Sequence, residues 1–226
     1  MPEITIEHNG LEVPGYLSEP DADLYESPRA GMIVIQEWWG LTPDIRDIAD
    51  RYATEGYLAF APDLYHGQAA SEPDEARKLA MSLERDVAAQ EIDAAADWLK
   101  QEHGMPKVGC VGYCMGGSLT LAAAMRPTSN VDAVHVYYGG GMPSDDQLKN
   151  VRVPVLGSYG SEDQGIPVED VKRLEAALKE VGVPHEIKIY EGAGHAFFND
   201  SRPSYHEEAA LDSWMRSIAW FNEHLG

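Results

Sequence analysis

Short apolar runs alternate with amphipathic stretches along most of this chain. Residues 31–35 and 57–61 are continuous apolar runs of strand length, which is typical of strands buried on both faces of a sheet. Further strands are predicted at residues 107–112, 131–138, 153–159 and 186–190. Helices are predicted at residues 43–55, 75–81, 83–103, 168–181 and 205–225. This alternation predicts an α/β fold with a mostly parallel central sheet, right-handed crossovers and helices on both faces.

The N-terminal segment and two helical faces refine this picture. Residues 4–6 and 11–17 predict a β-hairpin that turns at Asn9-Gly10. Helical spacing in 83–103 predicts a core face made of Val87, Ile92, Ala95, Trp98 and Leu99. The closing helix has a similar face made of Leu211, Trp214, Ile218 and Phe221. Residues 64–74 form a loop without a strong pattern, and no linker divides the chain, so we expect one domain over residues 1–226.

Composition and charge narrow the classes of function. The 226 residues are 44% hydrophobic, which is enough for a large core without disulfides. A formal charge of −21 argues against nucleic acid or an anionic membrane as a partner. It predicts a self-repelling, soluble surface, and a saline habitat is also compatible with it. Residues 1–10 lack an apolar signal core and no run is long enough to span a bilayer, so we expect a cytoplasmic protein.

The two cysteines, Cys110 and Cys114, lie four residues apart across a strand and its turn. That spacing is poor for a disulfide, and two thiols alone make a weak metal site. We therefore expect free thiols in a reducing compartment, and neither a metal nor a cofactor. A redox pair of these thiols is an alternative, but Cys110 should point into the packing of the sheet.

The segment from Gly112 to Gly116 is the strongest chemical signal in the chain. An apolar strand ends at Gly112, the pattern Gly-x-Cys-x-Gly follows, and a helix-forming run begins at Ser118. Strand, tight turn and helix predict a nucleophile elbow with Cys114 as the nucleophile. The helix N-terminus behind the thiol favours negative charge. The pattern alone is weak, because buried cysteines beside glycines are common in cores.

A nucleophilic thiol needs a base and a group that orients the base. His195 follows the last strand in a glycine-rich loop, and Asp163 follows the strand 153–159, so both lie at the carboxyl edge of the sheet. Nucleophile, acid and histidine then follow the α/β-hydrolase order. A turn aspartate and a surface-loop histidine are the alternatives on each segment alone.

The exit of the first buried strand, Gln36 to Gly40, should supply part of an oxyanion hole. We assign the backbone amides of Trp38 and Met115 to it. A carboxylate beside such a hole is unusual, so Glu37 needs a role. A loop glutamate bonded to backbone amides is the alternative.

These segments together resemble the dienelactone hydrolases, or carboxymethylenebutenolidases, of the α/β-hydrolase superfamily. The matching segments are Gln36 to Gly40, Pro62 to Tyr65, Val111 to Gly117, the loop of Asp163, and Gly194 to Phe197. The resemblance implies a triad of Cys114, His195 and Asp163. It also implies that Glu37 interacts with the resting thiol and passes its proton when substrate binds, which would protect the sulfur from oxidation.

The chain departs from the family pattern at two substrate-binding arginines. Those positions hold Gly67 and Asn199, and Arg202 is the nearby candidate for a substitute. Without a cationic clamp, an anionic lactone is not secured as the substrate. The residues expected to line the pocket are mainly aromatic: Trp38, Trp39, Tyr65, Phe197 and Phe198.

From the sequence we therefore expect hydrolysis of a lactone or small carboxylic ester through a cysteine acyl-enzyme, in a monomer or small homo-oligomer. The first alternative is a broad-specificity short-chain carboxylesterase, which the missing arginines favour. The second is a non-catalytic binding protein of hydrolase shape with a vestigial triad.

Overall fold

A computed structural model describes residues 3–8 and 10–226 of the chain. Its centre is an eight-stranded sheet with the order β1-β2-β4-β3-β5-β6-β7-β8. The strands are β1 Glu3–His8, β2 Leu11–Ser18, β3 Gly31–Ile35, β4 Leu58–Pro62, β5 Val108–Tyr113, β6 Ala133–Tyr137, β7 Val155–Gly160 and β8 His185–Tyr190. β2 pairs antiparallel with β1 and with β4, and every pairing from β4 to β8 is parallel. The predicted mostly parallel sheet and N-terminal hairpin are confirmed, although Asn9 of the predicted turn lies outside the described residues.

Helices cover both faces of this sheet. They are α1 Pro43–Thr54, α2 Pro73–Ser82, α3 Arg85–Gln101, α4 Met115–Met125, α5 Asp145–Leu148, α6 Val168–Val181 and α7 Glu207–Leu225. On one face α1 meets α7, where the Tyr52 and Ser217 hydroxyls lie 2.7 Å apart. On the other face α3 packs against α4. The short helix α5 was not predicted, although Ser144 and Gln147 form a capping box at its start.

Two residues assigned to helical core faces are exposed instead. Val87 has an exposed fraction of 39% and Leu211 of 54%, whereas Ile92, Leu99 and Phe221 are buried as expected. Val87 lies in the first turn of α3, and Leu211 lies on α7 beside the edge strand β8. Helical periodicity identifies the apolar side of a helix, but it cannot show which positions on that side are covered by the rest of the protein. None of the helices in the described ranges is long and apolar enough to cross a bilayer.

Candidate active site

The turn between β5 and α4 has the geometry of a nucleophile elbow. Cys114 has φ 55° and ψ −113°, a strained backbone conformation for a residue with a side chain. The flanking glycines are needed for space, because a Cβ on Gly112 would lie 2.2 Å from the Gly116 carbonyl oxygen. A Cβ on Gly116 would lie 2.5 Å from the carbonyl oxygen of Ile35. The two glycines therefore give the backbone room for the turn that presents the partly exposed thiol after β5.

Three side chains from distant segments meet at this turn. The sulfur of Cys114 lies 3.1 Å from Nε2 of His195, and Nδ1 of His195 lies 2.6 Å from Oδ2 of Asp163. Asp163 follows β7 and His195 follows β8, so both reach the site from the carboxyl ends of strands. The other carboxylate oxygen of Asp163 accepts hydrogen bonds from the amides of Gly165 and Ile166, which fix its orientation.

The electrostatics of this arrangement favour a positively charged imidazole. Burial alone lowers the pKa of His195, but hydrogen bonds and charge interactions with Asp163 and Cys114 outweigh burial and raise this pKa to about 10. Burial likewise raises the pKa of Asp163, but its bonds to His195, Gly165 and Ile166 hold that pKa below the ordinary value. The carboxylate therefore stays ionised and steadies the proton on the imidazole.

The two backbone amides assigned to the oxyanion hole belong to segments that the Tyr65 side chain connects. The Met115 amide is the first in helix α4, so it has no acceptor within the helix. Trp38 lies in the turn that follows Gln36 and Glu37 at the exit of β3. The Tyr65 hydroxyl donates to the carbonyl oxygen of Trp38 at 3.2 Å and lies 3.4 Å from the Met115 sulfur. Tyr65 is buried, and its hydroxyl links the turn of Trp38 to the side chain of Met115.

Glu37 makes a different contact from the one that the resemblance implies. Its Oε2 accepts a hydrogen bond from the side-chain amide of Asn199 at 3.1 Å, whereas the thiol of Cys114 bonds to His195. Burial raises the pKa of Glu37, although Asn199, His195 and Arg202 act in the opposite direction. Within the described residues its Oε1 is buried without a hydrogen-bond partner. A direct Glu37–thiol contact is therefore not part of this arrangement, because Asn199 holds the carboxyl group.

Tyr138 belongs to the site but was not singled out from the sequence. It follows β6 with φ 36°, and its ring lies 5.2 Å from that of His195. Burial raises the pKa of its hydroxyl well above the ordinary value, and the charges of Glu37 and Cys114 add to that effect. The signal was available, because Tyr138 ends a predicted strand at the carboxyl edge where sites form.

Four of the residues expected to line the pocket divide into two groups. Trp39 and Arg202 lie together at the surface, with the guanidinium carbon 4.1 Å from the indole centroid. Phe197, also expected in the lining, is fully buried and packs against Tyr138 and Tyr190. Phe198 is also buried, against residues of the sheet and α7. Both aromatics are core residues.

The second cysteine has no place in this site. Cys110 is fully buried, as expected, and its sulfur lies 3.5 Å from the Thr120 hydroxyl. Burial raises the pKa of its thiol to about 12. Both cysteines are free thiols. Among residues 3–8 and 10–226, no group of three or more His, Cys, Asp or Glu side chains is arranged to hold a metal ion.

Comparison with known proteins gives consistent relationships over nearly the whole chain. The sequence model of the dienelactone hydrolase family matches residues 13–225. A Yersinia pestis protein provisionally named carboxymethylenebutenolidase is 35% identical over 238 residues, covering 98% of this chain and 88% of that protein. A Klebsiella pneumoniae structure provisionally named dienelactone hydrolase superposes with a TM-score of 0.87 at 33% identity, over 98% of each chain. The dienelactone hydrolase of Anabaena variabilis shares the fold, with a TM-score of 0.72 at 21% identity over 100% of this chain and 98% of that one.

Proposed function

The chain belongs to the dienelactone hydrolase family, a family of α/β-hydrolase enzymes, and from that premise we propose that it hydrolyses a lactone or small carboxylic ester through a cysteine acyl-enzyme. The observation that carries the proposal is the pair of contacts from Cys114 to His195, at 3.1 Å, and from His195 to Asp163, at 2.6 Å. Sulfur, imidazole and carboxylate at these separations are the parts that nucleophilic acyl transfer requires.

The first half-reaction forms the acyl-enzyme. The sulfur of Cys114 attacks the carbonyl carbon, and the thiol proton resides on Nε2 of His195. The carbonyl oxygen becomes an oxyanion held by the amides of Trp38 and Met115, each donor contributing roughly 3 kcal/mol in comparable sites. When the tetrahedral intermediate collapses, the carbon–oxygen bond breaks and His195 gives its proton to the leaving alkoxide.

The second half-reaction returns the enzyme to its starting state. His195 takes a proton from a water molecule, which attacks the thioester carbonyl through the same oxyanion hole. The carbon–sulfur bond breaks, the acid leaves, and the sulfur returns to its place as a thiolate beside the protonated imidazole. Asp163 keeps the Nδ1 proton in place throughout, so that Nε2 faces the reaction.

Charge around the site bears on the choice of substrate. Gly67 and Asn199 occupy the positions of the two family arginines, and Arg202 remains as a nearby cation stacked on Trp39. An overall charge of −21 gives no long-range attraction to an anion. The alternative function, a broad-specificity carboxylesterase for neutral short-chain esters, follows from the absence of the two arginines.

The test is a substrate panel measured on wild type, Cys114→Ala and Cys110→Ala. It contains a carboxylate-bearing dienelactone, a neutral lactone and p-nitrophenyl acetate. We expect turnover to disappear in Cys114→Ala and to persist in Cys110→Ala, which is a matched control for removal of a thiol. Mass spectrometry after a rapid acid quench should find the acyl group on the peptide that contains Cys114.

Each other outcome identifies a rival. Full activity of Cys114→Ala would exclude the acyl-enzyme mechanism. No activity on any substrate, together with no iodoacetamide labelling of Cys114, would favour the binding protein. If the enzyme prefers neutral esters and Arg202→Gln leaves this preference unchanged, the protein is a carboxylesterase. If Arg202→Gln selectively loses turnover of the dienelactone, Arg202 is the cation that binds the substrate carboxylate.

A further inference from the structure

Strand β8 is a free edge of the sheet. It pairs with β7, and no strand of the described residues lies beyond it. The carbonyl oxygens of Pro184 and Tyr190 accept hydrogen bonds from amides at the two ends of β7. The N–H and C=O of one strand residue point to the same side, and the side alternates along the strand. His185, Ile187 and Ile189 therefore direct their backbone groups away from β7, toward the side of β8 that pairs with no strand of the described residues.

The sequence of this edge is self-complementary in an antiparallel pairing. A two-fold axis at Ile187 places Ile187 opposite its own copy and His185 opposite Ile189 of the copy. These are the residues whose backbone groups face outward, so each facing pair exchanges two N–H···O hydrogen bonds. The same axis places Glu186 opposite Lys188 of the copy, at the closer, non-hydrogen-bonded positions where side chains meet. The interface therefore contains two symmetry-related pairs in which Glu186 of one chain lies opposite Lys188 of the other.

The other edge of the sheet lacks this property. Strand β1 carries Glu3 and Glu7 and no lysine or arginine. An antiparallel pairing centred on Thr5 would place Glu3 opposite Glu7 of a copy, and like charges directly opposite are destabilising. Of the two edges, only β8 suits a second copy of this chain.

An exposed apolar pair lies beside the β8 edge. Leu211 and Met215 have exposed fractions of 54% and 63% and follow each other by one turn of α7. With Lys188 and Ile189 they line a groove of about 550 Å³. Glu186 forms an ion pair with Arg216 of α7. The charged side chains of β8 therefore lie on the same face of the sheet as α7, which carries Leu211 and Met215.

Symmetry connects the edge and the apolar pair. A two-fold axis perpendicular to the sheet continues the sheet into the copy and keeps both α7 helices on the same face. The axis that pairs the two β8 strands therefore brings the Leu211 and Met215 pairs of the two chains toward each other. Exposed large apolar side chains grouped beside a free strand edge are typical of association surfaces.

We propose that this chain forms a two-fold homodimer in which two β8 strands pair antiparallel about Ile187, with Leu211 and Met215 packed across the axis. The dimer joins two eight-stranded sheets into one continuous sheet. Because each chain carries a charge of −21, long-range repulsion opposes association and is weakened by added salt. The dimer is therefore tighter at moderate than at low NaCl concentration.

The test is sedimentation equilibrium of the full chain over the micromolar range. Wild type should approach twice the 24.9 kDa of one chain. Lys188→Glu and Glu186→Lys each replace attractive pairs with like-charged pairs, so each should weaken the dimer at least about tenfold. An equimolar mixture of the two variants restores opposite charges at both positions and should form a heterodimer. Lys78→Glu and Glu102→Lys, exposed charges elsewhere, are matched controls that should dimerise like wild type.

A backbone variant tests the pairing independently of charge. The amide of Ile187 points away from β7, so Ile187→Pro removes an intermolecular donor while leaving the β7 hydrogen bonds in place. It should be monomeric, with hydrolytic turnover and a melting temperature close to those of the Lys188→Glu monomer. A monomeric wild type, equal weakening by Lys78→Glu and Lys188→Glu, or a mixture that stays monomeric would each overturn the proposal.

Discussion

His135 should make the folded protein sensitive to mild acid. It lies in β6, three residues before Tyr138 of the candidate site, and is fully buried. Its Nδ1 lies 2.9 Å from the Ser217 hydroxyl and its Nε2 lies 2.9 Å from the Ser158 hydroxyl. Burial holds the pKa of His135 well below its ordinary value of 6.5. The histidine is therefore neutral in the folded state and can be protonated on unfolding.

The sign and size of the effect follow from proton linkage. Below pH 6.5 the unfolded chain binds a proton at His135 that the folded chain does not bind. The free energy of unfolding therefore decreases as the pH is lowered through 6.5. For a single proton the decrease amounts to about 2 kcal/mol between pH 6.5 and pH 5. A decrease of this size in the free energy of unfolding raises the unfolded fraction of a typical domain by more than tenfold.

Urea denaturation at several pH values between 5 and 8 measures this effect. His135→Gln should be less stable than wild type at pH 7.5, but its stability should depend less on pH, so the two curves converge toward pH 5. Ser217→Ala is the matched control, because it removes a hydrogen-bond partner and keeps the histidine. It should lose stability while retaining the steep dependence. Parallel curves for wild type and His135→Gln would refute the reasoning.

Three further predictions concern the site. Asp163→Asn should lower kcat by about 10²–10⁴-fold, because the amide favours the wrong imidazole tautomer. The midpoint of the NMR titration of His195, expected near pH 10 in wild type, should move to lower pH in this variant. An unchanged midpoint would contradict the assigned contact between His195 and Asp163. Glu37→Gln should lower kcat with little change in melting temperature, because it removes a buried carboxyl group that interacts with the charge of His195, and unchanged kinetics would reject a functional role for Glu37. Gly116→Ala should lower the free energy of unfolding, measured by urea denaturation, by about 2 kcal/mol or more, because the added Cβ would lie 2.5 Å from backbone oxygens. Gly140→Ala is the control: its Cβ would have its nearest contact at 3.7 Å, so the free energy of unfolding should fall far less.

The sequence predicted the parts of the molecule that depend on short stretches of chain. Strands buried on both faces must be apolar throughout, so β3 and the other inner strands were visible as continuous runs. The elbow was visible because the turn around Cys114 admits only glycine at its two crowded positions. The rule that sites form at the carboxyl ends of parallel strands then selected His195 and Asp163, which the fold brings within hydrogen-bond distance.

Contacts between distant segments were decided only by the tertiary structure. Glu37 meets Asn199 across 162 positions of sequence, and no local pattern signals that partner. Phe197 and Leu211 are both apolar, yet one is buried beneath the site and the other is exposed beside the free edge of β8. The physical reason is that hydrophobicity and periodicity describe what a segment can bury or bond, whereas the neighbour that it meets depends on how all the layers pack together.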